Sequence, residues 1–189
     1  MHWERFTGSA GAVVEKPHNL TIRDSTGSTA GILSTASTVP FDPQRVVTTE
    51  RLQINRINRN GKAMFGLIGP NGSAPPTGSL AAGIDAQGHV FIFEHDPRIP
   101  QTVVPIGVDR GYTGGPIRMT FTINSTGVKV SAGRFKSGEI PFTDLHDFSL
   151  KAAFRHGATP ALGAASQANR TGGAASFMSI RVGTWPLRK

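Results

Sequence analysis

Apolar and polar residues alternate with a period of two through most of the chain, and Gly, Pro, Asn, Asp or Ser breaks interrupt the alternation at short intervals. Successive side chains of a strand point to opposite faces, so each such segment is expected to be a strand with one buried side. The pattern predicts strands at Gly11–Glu15, Asn19–Arg23, Gly31–Thr35, Arg45–Arg56, Ala63–Ile68, Ser79–Ile84, His89–Glu94, Thr102–Ile106, Ile117–Asn124, Val128–Ala132, Phe148–Phe154 and Ser176–Val182. The best helix candidate is the Ala-rich stretch Pro160–Gln167, weakened by Gly163 and by the flanking Gly157 and Gly172.

Two hairpins have a readable mechanism. Asp85-Ala86-Gln87-Gly88 and Asn124-Ser125-Thr126-Gly127 each separate two apolar strands, with Gly88 and Gly127 available for the positive φ of a tight turn. The segment 69–79, rich in Gly, Pro and Ser, reads as one long surface loop. Neither an internal repeat nor a linker divides the chain, and residues 1–189 are expected to form one domain. An open sheet as wide as these strands would make leaves an apolar face in water, so the strands must stack as two sheets or close into a barrel; of the two, the expected architecture is an antiparallel β-sandwich of two stacked sheets.

Alternation also assigns faces. Leu52 and Ile54, then Met119, Phe121 and Ile123, and in the last strand Met178, Ile180 and Val182 are expected inside. Phe148, Leu150, Ala152 and Phe154 form the corresponding set of the strand before it. Arg51, Gln53, Asn55, Arg118, Lys151, Arg155 and Arg181 fall on the outward sides. In His89–Glu94 both sides are apolar, which predicts a central strand ending at Glu94-His95-Asp96, an acid, an imidazole and an acid that suit acid–base chemistry or a cation as readily as a solvated strand end.

Composition changes this picture in three ways. The chain has no cysteine, which removes disulfides, thiolate metal sites and a Cys nucleophile together. The first residues show no continuous apolar signal region, and no run is long enough to span a bilayer, so membrane insertion is not expected. The formal net charge is +8, with the basic residues scattered singly; this favours polyanionic partners such as nucleic acid, anionic polysaccharide or an acidic membrane surface without choosing among them. Asn19, Asn71, Asn124 and Asn169 begin Asn-x-Ser/Thr sequons, which matter only for a chain passing through a eukaryotic secretory route.

The succession RVVTTERLQINRI, GKAMFGLIG, LAAGIDAQGHVFIF, PIRMTFTINSTGVKVSAG, IPFTDLHDFSLKAAF and ASFMSIRV resembles the concanavalin A-like lectin and glucanase superfamily, laminin-G-like modules included. The resemblance spans nearly the whole chain and rests on spacing and turn placement rather than on a signature motif. It implies an all-β jelly roll, a glycan ligand lying across the concave sheet or its rim loops, and an extracellular or cell-surface setting.

Residue chemistry narrows the functional classes. Jelly-roll glucanases carry alternating acids of the type Glu-x-Asp-x-Glu, and no such pattern surrounds Glu4, Glu15, Glu50, Glu94 or Glu139. Jelly-roll polysaccharide lyases surround a uronate with Arg, Gln or Asn, His and Tyr. An enzyme here would draw on Arg51, Gln53, His95 and Tyr112, but a lyase-like pattern wants Tyr where Arg134 stands two residues before Lys136. The leading expectation is therefore a carbohydrate-binding module for a polysaccharide, uronate-bearing in its sharpest form, that binds through Arg51, Gln53, Asn55, Arg118, Lys151, Arg155 and Arg181. Forked guanidinium and amide hydrogen bonds suit carboxylates and sugar hydroxyls. Tyr112, the single tyrosine, sits in the glycine-flanked loop 108–116 either as a stacking ring, a role open also to Trp185 or Trp3, or as a packing residue that closes its own loop. A glycan-active enzyme is the alternative and a viral or structural jelly-roll subunit the third. No cofactor is expected; a calcium ion held by loop carbonyls and Asp24, Asp85 or Asp109 stays open.

Overall fold

The computed structural model describes residues 3–5, 11–16, 19–24, 31–35, 46–69, 78–95, 102–145, 154 and 158–186. Among these the chain is nearly all β: β1 (Trp3–Arg5), β2 (Gly11–Lys16), β3 (Asn19–Asp24), β4 (Gly31–Thr35), β5 (Val46–Ile57), β6 (Gly61–Ile68), β7 (Ser79–Asp85), β8 (His89–His95), β9 (Thr102–Val108), β10 (Ile117–Ile123), β11 (Gly127–Ala132), β12 (Phe135–Lys136), β13 (Ile140–Pro141), β14 (Thr159–Ser166) and β15 (Ala174–Pro186). One 3-10 turn at Phe142–Asp144 is the sole helical element among the described residues.

The strands pair antiparallel into two sheets. A seven-stranded sheet runs β1-β4-β14-β6-β7-β8-β9. An eight-stranded sheet runs β12-β11-β10-β5-β15-β3-β2, with β13 also paired to β11. Between the sheets Leu52, Ile54, Met119, Phe121 and Ile123 meet Phe65, Leu67, Leu80, Ile84 and Ile92, all buried. Phe65 and Phe121 touch edge to face across the gap, with ring centroids 6.2 Å apart and planes at 75°.

Both turns form, by different means. At Asp85–Gly88, Gly88 takes φ +89°, and its carbonyl accepts from Asp109 N–H at 2.9 Å. At Asn124–Gly127 the expected positive-φ glycine is absent. Asn124 Oδ1 instead accepts the N–H groups of Thr126 and Gly127 at 2.8 and 2.9 Å, so a side chain does the work of the turn. Gly127 is needed there because a Cβ would run into the Ile140 carbonyl of β13. The ends of the loop 69–79 are closed by Gly69 N–H donating to Gly78 O at 2.9 Å, while residues 70–77 lie outside the described residues.

Two expectations are corrected. The stretch Pro160–Gln167 is not a helix: Thr159–Ser166 is the strand β14, hydrogen-bonded between β4 and β6 and buried along almost its whole length. Its small side chains fit a strand packed on both faces, and sheet pairing overrides the helix preference of alanine. In β15 the register slips on both sides of Phe177, so Phe177 is buried, Ile180 packs against the core and Met178 is 46% exposed. A bulge inserts an extra residue and reverses the faces that strict alternation assigns to Phe177 and Met178. The expected strand Phe148–Phe154 lies outside the described residues apart from Phe154, which is buried.

Candidate functional site: the outer face of the eight-stranded sheet

Strand β5 lies between β10 and β15, and its Leu52 and Ile54 face inward, so Arg51, Gln53 and Asn55 face out. Register then builds transverse rows. One row reads Lys136, Ser131, Thr120, Arg51, Arg181 across β12, β11, β10, β5 and β15. On one side of it lies the row Arg118, Gln53, Ser179; on the other, Lys129, Thr122, Thr49, Gly183. The Thr49 and Thr122 hydroxyls stand 3.4 Å apart. Asn55 is exposed beside Arg56, where β15 passes from Ile54 to Arg56 without pairing it.

The structure thus brings Arg51, Gln53, Asn55, Arg118 and Arg181 onto one face. Lys151 and Arg155 lie outside the described residues. Among the described residues these rows carry no carboxylate, and Arg51, Arg118 and Arg181 have no acidic partner. Lys129 is the exception: it pairs with Glu139 at 3.0 Å. That glutamate also accepts from Thr126 and Asn124, and the hydrogen bonds from Thr126, Lys129 and Asn124 hold its pKa below the usual carboxylate value.

Trp185 adds an aromatic surface to this face. It stands two residues beyond Gly183 on the outward side of β15 and is 51% exposed. A Cβ on residue 183 would run into Cη2 of the indole and lie 2.7 Å from Cζ3, so the ring lies back over the position where another residue would carry its side chain.

Other expected site residues fall elsewhere. Of the two roles open to Tyr112, the structure shows the packing residue and not the loop-tip ring. It is buried in the core, its Oη has no hydrogen-bond partner, and burial together with the charge of Asp85 pushes its pKa up. Its loop folds inward because Asp109 turns it: Tyr112 N–H donates to Asp109 O at 3.0 Å, and the Asp109 carboxylate accepts from Gly111 N–H and Arg134 N–H. His95 ends β8 in the seven-stranded sheet, away from β5, so Arg51, Gln53, His95 and Tyr112 are not assembled into one site. Glu94 faces inward with Val90 and Ile92 and is buried, not a solvated strand end. The His95 side chain and Asp96 lie outside the described residues.

Each of the three aspartates considered for calcium accepts backbone N–H groups. Asp24 accepts from Ser166 N–H at 3.0 Å, and Asp109 bonds as above. Asp85 accepts from the N–H groups of Gln87 and His89, both at 2.9 Å, and lies 2.8 Å from His89 Nδ1. No group of three His, Cys, Asp or Glu among the described residues is placed to hold a metal ion.

One group escaped the sequence reading. Glu50 is fully buried with neither carboxylate oxygen hydrogen-bonded, and desolvation pushes its pKa up to about 8. The signal was present: Glu50 shares the parity of Leu52 and Ile54.

No protein-family model matches the chain, and no curated protein matches it in sequence. Solved structures do. The endo-1,3-β-glucanase of Streptomyces sioyaensis superposes with TM-score 0.60 at 14% identity, over 96% of this chain and 88% of that one. The carbohydrate-binding module CBM66 of Bacillus subtilis gives 0.55 at 10% identity, over 95% and 94%. A family 7 alginate lyase, A1-II', in complex with its product gives 0.57 at 14% identity, over 95% and 85%. The chain has the concanavalin A-like jelly-roll fold. On this fold the neighbours include both a carbohydrate-binding module and glycan-active enzymes.

Proposed function

We propose that the protein is a carbohydrate-binding module that holds a polysaccharide on the outer face of the eight-stranded sheet without cleaving it. The observation that carries this reading is the row Thr120, Arg51, Arg181, flanked by Gln53 and Arg118 and free of acidic partners among the described residues. Unpaired guanidinium groups, an amide and threonine hydroxyls supply forked donors and mixed donor–acceptor groups for sugar hydroxyls and carboxylates. Those rows offer no carboxylate pair, which glycoside hydrolysis requires. Fold neighbours that include a binding module and polysaccharide-active enzymes support the substrate class by analogy.

The test is a glycan array at low and moderate salt, followed by titration of the best ligands against Arg51→Ala/Arg181→Ala. Saturable binding that the double substitution weakens more than tenfold is expected, and it should soften with salt because the cations are exposed. A chain that retains no neutral or acidic glycan at low salt would end the reading.

A further inference from the structure

We propose that Trp185, laid over Gly183 next to Arg181 and Arg51, seats one uronate residue of an acidic polysaccharide: the pyranose stacks on the indole and its carboxylate is gripped by the arginine pair. The inference rests on the carbohydrate-binding reading and names its ligand class.

Three observations meet here. First, an indole half exposed on a sheet surface is unusual for a large apolar side chain, and this one is held down by the lack of a side chain at residue 183. Gly183 pairs Thr49, whose hydroxyl and that of Thr122 continue the floor beside the ring. Second, no cation of the described residues covers the outer surface of the indole. Among the described residues the cation held over a ring is Lys62 on Phe91, in the other sheet, and Trp185 has no further ring contact. Its open face is free for the C–H side of a sugar, an apolar surface that suits an aromatic platform.

Third, Arg181 is two residues back from Gly183, over which the indole lies, along the same outward side of β15, and Arg51 is its direct cross-strand partner. Two residues along a strand span about 7 Å and neighbouring strands lie about 5 Å apart, so both guanidinium groups reach the edge of a ring resting on the indole. Two like charges side by side on neighbouring strands repel, and no acid of the described residues relieves them. A ligand carboxylate supplies the missing charge and accepts the planar fork of donors. A strand of nucleic acid would also meet arginine and an aromatic ring, but it gains most from successive stacking platforms, and among the described residues this face has one.

The experiment uses the two tryptophans of the chain. In Trp3→Phe, emission reports on Trp185 alone; it is titrated with hexagalacturonate, its methyl ester, cellohexaose and oligo-dT, with calorimetry of the unmodified chain in parallel. Expected are a saturable emission shift with hexagalacturonate, protection of Trp185 from acrylamide quenching, and binding at least tenfold weaker to the ester and to cellohexaose. Trp185→Ala and Gly183→Ala should each weaken hexagalacturonate binding tenfold or more, the second by lifting the ring, while Trp185→Phe stays within a few-fold. Melting temperatures should stay within a few degrees of the parent. Equal affinity in Trp185→Ala, equal affinity for the ester, or tighter binding of oligo-dT would each overturn the assignment. Uronate binding that ignores Trp185 defeats this inference alone, whereas failure of every glycan on the unmodified chain defeats the carbohydrate-binding reading beneath it.

Discussion

Glu50 places an ionisable group where ionisation works against the fold. It sits on β5 opposite Phe121 of β10 and Val182 of β15, fully buried, with no hydrogen bond to either oxygen. Its pKa of about 8 in the fold stands against an ordinary value of 4.5 in the open chain. The sign follows from linkage. Below pH 4.5 the carboxyl is neutral in both states; between 4.5 and 8 only the unfolded chain ionises, so stability falls as pH rises, and above 8 the fall stops. At pH 7, where the folded carboxyl is just beginning to ionise, the loss is about 2.4 pH units at about 1.4 kcal/mol each, or a little over ~3 kcal/mol. Glu50→Gln keeps the shape and removes the titration, and so should be more stable than the parent by about 3 kcal/mol at pH 7. For a chain of this size that corresponds to a rise of roughly 6–12 °C in Tm. Glu50→Met also removes the unsatisfied polar atoms and should gain a further ~1 kcal/mol or more. The assay is urea unfolding of parent and variants at half-unit steps from pH 5 to 8. The difference between parent and Glu50→Gln should grow with a slope of about 1.4 kcal/mol per pH unit up to pH 7.5. Parallel profiles would refute the reasoning, because they require a carboxylate already charged and compensated in the fold.

Three further outcomes follow from the same geometry. Gly88→Ala places a Cβ at φ +89° against the Asp109 carbonyl and should cost about 1–3 kcal/mol, measured by denaturant unfolding. Asp109→Ala leaves the N–H groups of Gly111 and Arg134 without their acceptor and should cost about 1–3 kcal/mol, with faster amide exchange confined to the turns 109–112 and 133–134. Phe65→Ala and Phe121→Ala should each cost about 3–5 kcal/mol, and the double-mutant cycle should show coupling of about 0.5–1.5 kcal/mol from their edge-to-face contact; additive losses would deny that contact any share.

The sequence by itself determined the elements whose evidence is local. Alternation located eleven of the observed strands, including β5 and β10, and set Leu52, Ile54 and Phe121 inside and Arg51, Gln53 and Arg118 outside, because the pleat makes facing a property of neighbouring residues. Only the tertiary structure decided what depends on pairing between distant segments. It made the Ala-rich 159–166 a strand by placing β4 and β6 on either side of it, and it turned Phe177 inward and Met178 outward through a bulge against β5. It also sent Tyr112 into the core behind the Asp109 turn. The candidate site divides in the same way: each cation was legible as outward-facing, but the row of Thr120, Arg51 and Arg181 and the ring of Trp185 over Gly183 exist only because β10, β5 and β15 are neighbours. Period-two alternation records which way a side chain points; hydrogen bonding across more than a hundred residues of chain decides what it points beside.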